Sequence, residues 1–335
     1  MFTLDLQNFW AGVIAVAVLA YVILDGFDLG VGILFPTAKA TAERDLMMNS
    51  VAPVWDGNET WLVLGGGGLL AAFPLAYAVV LPALYAPIIA MLIGLILRGV
   101  AFEFRWRTAR GQFIWDWSFF LGSLVAALAQ GVALGALVQG IPVANRAYAG
   151  GWWNWLTPFS MLTGVAVVVG YVLLGSTWLN MKTSDDLQLR MREIAKWAAI
   201  GLLALIGAVS LWTPFLQPVY YIRWFTWPAM IYSFVVPILV LFCAWSLLSG
   251  LKSHKDSQPF IASLGLFVFT FAGLGISFYP YIVPPSLTIH DAAAPVSSLK
   301  FMLPGVLILV PIIIAYTAYS YWVFRGKING EHGYH

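Results

Sequence analysis

Charge is scarce in this chain. Lysine, arginine, aspartate and glutamate make up 10% of its 335 residues, against about a quarter in soluble domains. The chain is also 61% hydrophobic, with a mean hydropathy of +0.85. Together these values exclude a soluble globular protein. No basic stripe is present, which removes the usual electrostatic footprint of a nucleic-acid binder. Cysteine is nearly absent. Cys243 stands alone in an apolar run, so an internal disulfide and a thiolate metal centre made by this chain are both excluded. No basic segment precedes the first apolar run, and no cleaved signal peptide is expected. Walker, dinucleotide-fingerprint and zinc spacings are all missing, and no metal site is expected.

Histidine is equally sparse. His254, His290, His332 and His335 all fall in polar connections or the tail, none in an apolar run. Membrane haems take His or Met ligands that project from helices. The methionines read as packing residues. This chain alone is therefore expected to hold no haem.

What remains is apolar sequence in long runs. Crossing about 30 Å of hydrocarbon takes about 20 residues. Runs of that kind lie at about 8–36, 52–73, 75–101, 117–140, 158–179, 196–215, 227–249, 260–282 and 301–324. The expected fold is an all-α polytopic membrane protein, one membrane domain over 1–335, with nine transmembrane helices. The count is eight if 52–73 re-enters the membrane instead of crossing it. Alternate connections carry Lys39, Arg44, Arg105, Arg107, Arg110, Lys182, Arg190, Arg192, Lys196, Lys252, Lys255, Arg325 and Lys327. The other set holds only Arg146, Arg223 and Lys300. Basic residues mark cytoplasmic loops. The C-terminus is thus expected in the cytoplasm and, with nine spans, the N-terminus outside.

This orientation puts Asp25, Asp28, Asp56, Glu59, Arg98 and Glu103 at one depth, near the cytoplasmic ends of the first three spans. Ionisable groups inside a bilayer are costly and by default signal function. Asp25 and Asp28 are three residues apart, as are Asp56 and Glu59, so each pair shares a helix face. One account is a proton or cation path. The other is structural: ion pairing with Arg98, or capping of a helix that begins Asp56-Gly57-Asn58-Glu59. Asp56 fits both accounts; Asp28 and Glu103 fit the structural one better. Trp61 follows one turn later, ahead of Gly65 to Gly68. It is either an interfacial anchor or the border of an apolar, glycine-lined route for a gas. An ion-coupled secondary transporter or channel would use the same carboxylates, and a plain scaffold would leave them unexplained.

Several stretches resemble a known family. They are Asp25-Gly-Phe-Asp-Leu-Gly30, Asn49-Ser-Val-Ala-Pro-Val-Trp-Asp-Gly-Asn-Glu-Thr-Trp61, Ala71-Ala-Phe-Pro-Leu-Ala-Tyr77, Phe278-Tyr-Pro-Tyr-Ile-Val-Pro-Pro-Ser286 and Val310-Pro-Ile-Ile-Ile-Ala-Tyr316. In that order they are similar to subunit II of cytochrome bd-type quinol oxidases. Glu59-Thr60 together with Arg98-Gly-Val-Ala-Phe-Glu-Phe104 is similar to the cyanide-insensitive branch.

The resemblance implies a subunit of a quinol:oxygen oxidoreductase in the bacterial cytoplasmic (inner) membrane, serving the aerobic respiratory chain. Ubiquinol or menaquinol would be oxidised and dioxygen reduced to water. It implies a subunit I partner that carries the b-type haems, haem d and the quinol-oxidising loop, with small single-span accessory subunits and membrane lipid around the pair. It further implies that this subunit is haem-free and folds as two four-helix bundles plus one peripheral helix, with a structural quinone in some family members. The position matching Asp56 belongs to a cytoplasmic proton route in the family, and the one matching Trp61 lies near a proposed dioxygen route.

Overall fold

In a computed structural model, residues 5–108 and 110–328 are described. His332 and His335 lie outside them. The described chain is a stack of helices with two short hairpins. In order, the elements are α1 Leu6–Leu34, α2 Thr41–Val51, α3 Trp55–Ala72, α4 Pro74–Ala83, α5 Tyr85–Phe104 and α6 Gln112–Gln139. After them come β1 Val143–Ala144, β2 Ala147–Tyr148, α7 Pro158–Lys182, α8 Asp185–Trp212, α9 Pro218–Phe225, α10 Ala229–Lys252 and α11 Gln258–Phe278. The chain closes with β3 Tyr281–Val283, β4 Leu287–Thr288, α12 Ile289–Ala292 and α13 Val296–Val323. β1 pairs antiparallel with β2, and β3 with β4.

Eight helices among the described residues are long and apolar enough to cross a membrane. The expected all-α polytopic class is what the structure shows. The expected count of nine is not reached by length and composition, because the polar head of α3 dilutes its hydropathy. The expected span 75–101 is broken at Leu84, whose backbone leaves the helical region. Pro87 explains the break: it donates no N–H, and its ring crowds the carbonyl four residues earlier. Pro74 acts similarly on Phe73 and separates α3 from α4. α8 starts well before the expected 196–215, since Asp185 and Asp186 in its first turn favour the helix N-terminus.

Besides a core around Phe73, Ala76, Val79 and Leu287, at α4 and the β3–β4 hairpin, two further cores organise the stack. One is built on α1, α2, α5, α6 and α7 around Phe27, Leu29, Met47, Met48, Phe119 and Leu174. The other joins α7, α8, α10 and α11 around Leu173, Ala199, Leu247 and Leu266. α13 stands apart: Leu299 is its only buried residue. Where α1 meets α7, the backbones nearly touch. A Cβ on Gly30 would sit 1.8 Å from the Tyr171 carbonyl, and one on Gly175 2.4 Å from Gly30. Only glycine permits that approach, as small residues do at membrane helix contacts.

Candidate functional site

α1 and α3 run antiparallel. Asn58 meets Asp28 and Leu24, Trp61 packs against Ala17 and Tyr21, Gly65 lies beside Val18, and Gly68 beside Ile14. This pairing brings the acids of both helices to one face. α5 adds Arg98, which is fully buried. Its Nη1 donates to Asp25 Oδ1 at 2.5 Å and its Nη2 to Glu59 Oε2 at 2.7 Å. Asp25 and Arg98 are wholly shielded, while the Glu59 side chain keeps 30% exposure.

Asp28 is also fully buried, but Arg98 does not pair with it. It accepts from Asn58 Nδ2 at 2.8 Å, and Asn58 Oδ1 accepts from the Tyr321 hydroxyl at 2.9 Å. Three carboxyl groups thus face one guanidinium, and Asp28 is the one that ion pairing does not use. Asp25 Oδ2, Asp28 Oδ1 and Arg98 Nε have no hydrogen-bond partner among the described residues. Buried polar atoms without protein partners are ordinary sites for ordered water.

The network continues away from α3. The Tyr21 hydroxyl lies beside Asp25 and accepts from Gln130 Nε2 at 2.7 Å, while Tyr171 donates to Gln130 Oε1 at 2.7 Å. Sequence reasoning missed Tyr21, Gln130, Tyr171 and Tyr321. Their polarity within apolar runs was the available signal, but sequence alone does not say which polar side chain turns inward.

Asp56 stands elsewhere. It is exposed and outside the Arg98 cluster, so the expected gathering of Asp25, Asp28, Asp56 and Glu59 around Arg98 holds for three of the four acids. It makes no capping bond to α3 but lies in its first turn, where an acid is favoured. Its side chain borders a cleft of about 470 Å³ shared with Glu103, Asn58, Thr317, Ser320 and Tyr321. Asn58 and Tyr321 belong to both cleft and network, so the cleft ends one hydrogen bond short of the Asp28 carboxyl. Glu103 is exposed and pairs loosely with Arg107 at 3.5 Å.

Trp61 is not at an interface. It is 4% exposed, enclosed by Ala17, Tyr21 and Ile313. Gly65 and Gly68 face α1, whereas Gly66 and Gly67 face away, with nothing within 4 Å of a Cβ at either.

A second arginine lies two turns further along α5. Arg105 is fully buried at the helix end and binds Asp45 and Asp116, both at 2.7 Å. Arg44 also reaches Asp116, at 3.4 Å, and Phe35 and Trp106 lie beside the Arg105 guanidinium. Close by, Glu43 binds Arg190 at 2.5 Å. Burial resists ionisation of Glu43, yet the Lys39 backbone N–H and Arg190 hold its carboxyl below the usual range. These groups form the basic end of the molecule, and the Asp56 cleft opens at that end.

The described donor set does not fit a haem. His254 and His290 are exposed in connecting segments, and no group of three or more His, Cys, Asp or Glu among the described residues is placed to hold a metal ion.

Helical fold and multiple long apolar helices around a buried charged network define a multi-pass integral membrane protein. A model described as cytochrome bd terminal oxidase subunit II matches residues 6–324, and the chain belongs to that family. It is 31% identical to cytochrome bd-I ubiquinol oxidase subunit 2 of Escherichia coli strain K12, over 97% of this chain and 96% of that one. It is 30% identical to cytochrome bd ubiquinol oxidase subunit 2 of Bacillus subtilis, over 97% of each. Among solved structures, the bd oxidase from Geobacillus thermodenitrificans shares the fold, with a TM-score of 0.71 and 18% identity over 96% of this chain and 99% of that one. The chain is thus a multi-pass subunit of a terminal oxidase complex, and membership implies a subunit I partner and haem in the complex. Membership sets the oxidase subunit above the expected alternative of a transporter or channel.

Proposed function

We propose that this chain is the haem-free proton-uptake and scaffold subunit of a ubiquinol or menaquinol oxidase, with the haems and the quinol-oxidising site in subunit I. One observation carries the reading. The cleft bordered by Asp56 and Glu103 ends on Asn58 and Tyr321, which hydrogen-bond in a chain to buried Asp28. Dioxygen reduction consumes protons, and a membrane oxidase must draw them from one side through groups that hold and release them. Asp56 at the mouth collects protons, and Asp28 with Asp25 and Glu59 stores them behind it. Arg98 fixes Asp25 and Glu59 in place.

The basic loops put this mouth on the cytoplasmic side, with the C-terminus on the same side and the N-terminus periplasmic. α3 supplies the ninth crossing, since it follows α1 from Asp28 back to Ile14. Cysteines introduced at Ala52 and at Leu75 should then label from opposite sides of the membrane; labelling from one side would return the count to eight.

For dioxygen we place an apolar route along α3 at Trp61. Gly67→Leu fits the open outer face and should leave oxygen affinity unchanged. Gly68→Leu presses on Ile14 near the inner face and should raise the apparent KM for oxygen. Equal oxygen dependence in both assembled variants would remove the route from α3.

Asp56→Asn tests the main reading. It keeps the shape and removes the acid, and should slow turnover with haem content and subunit stoichiometry intact. Parental oxygen consumption and proton uptake across pH would reduce Asp56 to a helix-end charge.

A further inference from the structure

At the end of the molecule away from the basic loops, α9 lies across the ends of α10 and α11. Arg223, in the last turn of α9, donates through Nη2 to the Tyr279 carbonyl at 2.5 Å. Of the other described arginines that are buried or half-buried, Arg44, Arg98, Arg105, Arg190 and Arg192, each meets a carboxylate. Among the described residues no carboxylate pairs with Arg223. Beside its guanidinium is a cleft of about 450 Å³, lined by Ala229, Tyr232, Ala272, Gly275, Ile276 and Tyr279. The lining is small or apolar except at the Arg223 end. A Cβ on Gly275 would meet nothing within 4 Å, so the floor of the slot is open. Phe225, Trp227, Tyr232 and Tyr279 are exposed around it, as aromatic residues are where helices leave the hydrocarbon.

A slot that is apolar along its length and cationic at one end fits an amphiphile with one anionic head. We propose that this cleft binds an anionic phospholipid, with an acyl chain over Gly275 between the Tyr232 and Tyr279 side chains and the phosphate on Arg223. The guanidinium suits the role, because its planar fork matches two phosphate oxygens. One of its bonds is already spent on the Tyr279 carbonyl, which holds the fork at the slot mouth.

The test uses the intact oxidase complex, purified with its partner and stripped of lipid. Native mass spectrometry then counts bound dioleoylphosphatidylglycerol and, separately, dioleoylphosphatidylcholine as each is titrated. Arg223→Gln should weaken the tightest phosphatidylglycerol binding by about tenfold, the scale of one lost charge-assisted bond, and leave phosphatidylcholine unchanged. Gly275→Leu fills the slot and should weaken both lipids. Inorganic phosphate should not displace the bound lipid. If Arg223→Gln does not assemble, Arg223→Lys and Gly275→Leu decide between them: lysine should keep binding within a few-fold of the parent, and leucine should lose it. Undiminished phosphatidylglycerol binding in Gly275→Leu would overturn the proposal. So would displacement of the lipid by phosphate, which would make Arg223 a simple anion site.

Discussion

Arg98 and Arg105 are seven residues apart on one face of α5, both fully buried, yet their surroundings differ in kind. Arg105 sits in a balanced set: two arginines, Arg44 and Arg105, share Asp45 and Asp116. Arg98 sits in an unbalanced one, with Asp25, Asp28 and Glu59 around a single cation. The balanced set ties α2, α5 and α6 together at the basic end. The unbalanced set has a carboxyl to spare, orphaned oxygens and a cleft leading to it. The comparison teaches that burying an arginine is not by itself a sign of chemistry; surplus carboxyl groups and a way in are.

The largest effect should come from removing either guanidinium. Deleting one partner of a buried ion pair costs about 3–5 kcal/mol, so Arg98→Leu and Arg105→Leu should both cut the yield of haem-bearing complex. The two should part in whatever complex survives. Turnover per haem should stay near parental for Arg105→Leu and fall for Arg98→Leu. Equal per-haem turnover would collapse the distinction.

A smaller effect is expected from Asp28→Asn. The amide can still accept from Asn58, so assembly should persist while turnover drops roughly tenfold, the scale of a 1.4 kcal/mol barrier. An assembled variant with parental oxygen consumption would make Asp28 a packing residue.

Removing the Glu43–Arg190 pair should cost stability at neutral pH and little at low pH, where protonation of Glu43 already breaks the pair in the parent. The folded state holds the Glu43 carboxyl below its usual range. Its stabilisation is therefore present above the unfolded carboxylate range and is lost as pH falls through the lowered folded value. Glu43→Gln should flatten that part of the stability profile, read by thermal unfolding of the complex. The smallest effect belongs to Arg107→Gln, whose partner Glu103 is 3.5 Å away on an exposed turn. It should lie within about 0.5 kcal/mol of the parent.

Much of this was legible in the sequence. Long apolar runs gave the helices, and charged residues within them gave Asp25, Asp28, Glu59 and Arg98. The basic loops indicated the end at which those residues meet. The sequence did not show that Asp56, one turn before Glu59, points out of the cluster. A helix places residues three apart on roughly one face, but α3 begins at Trp55, so Asp56 sits at the free end of its first turn, where it has little to pack against. Arg105 was visible only as loop charge, because its burial depends on α2 and α6 folding back over the end of α5. The break at Leu84 was readable from Pro82 and Pro87, yet proline is also tolerated inside packed membrane helices, so position alone did not decide it.

The most direct measurement is the rate of proton uptake by the purified oxidase after a pulse of oxygen, in Asp28→Asn and Asp45→Asn side by side. Both remove one acid beside a buried arginine of α5 or its network. The account predicts slowed uptake in Asp28→Asn and parental uptake in Asp45→Asn at equal haem content. Parental uptake in both, or slowed uptake in both, would contradict it.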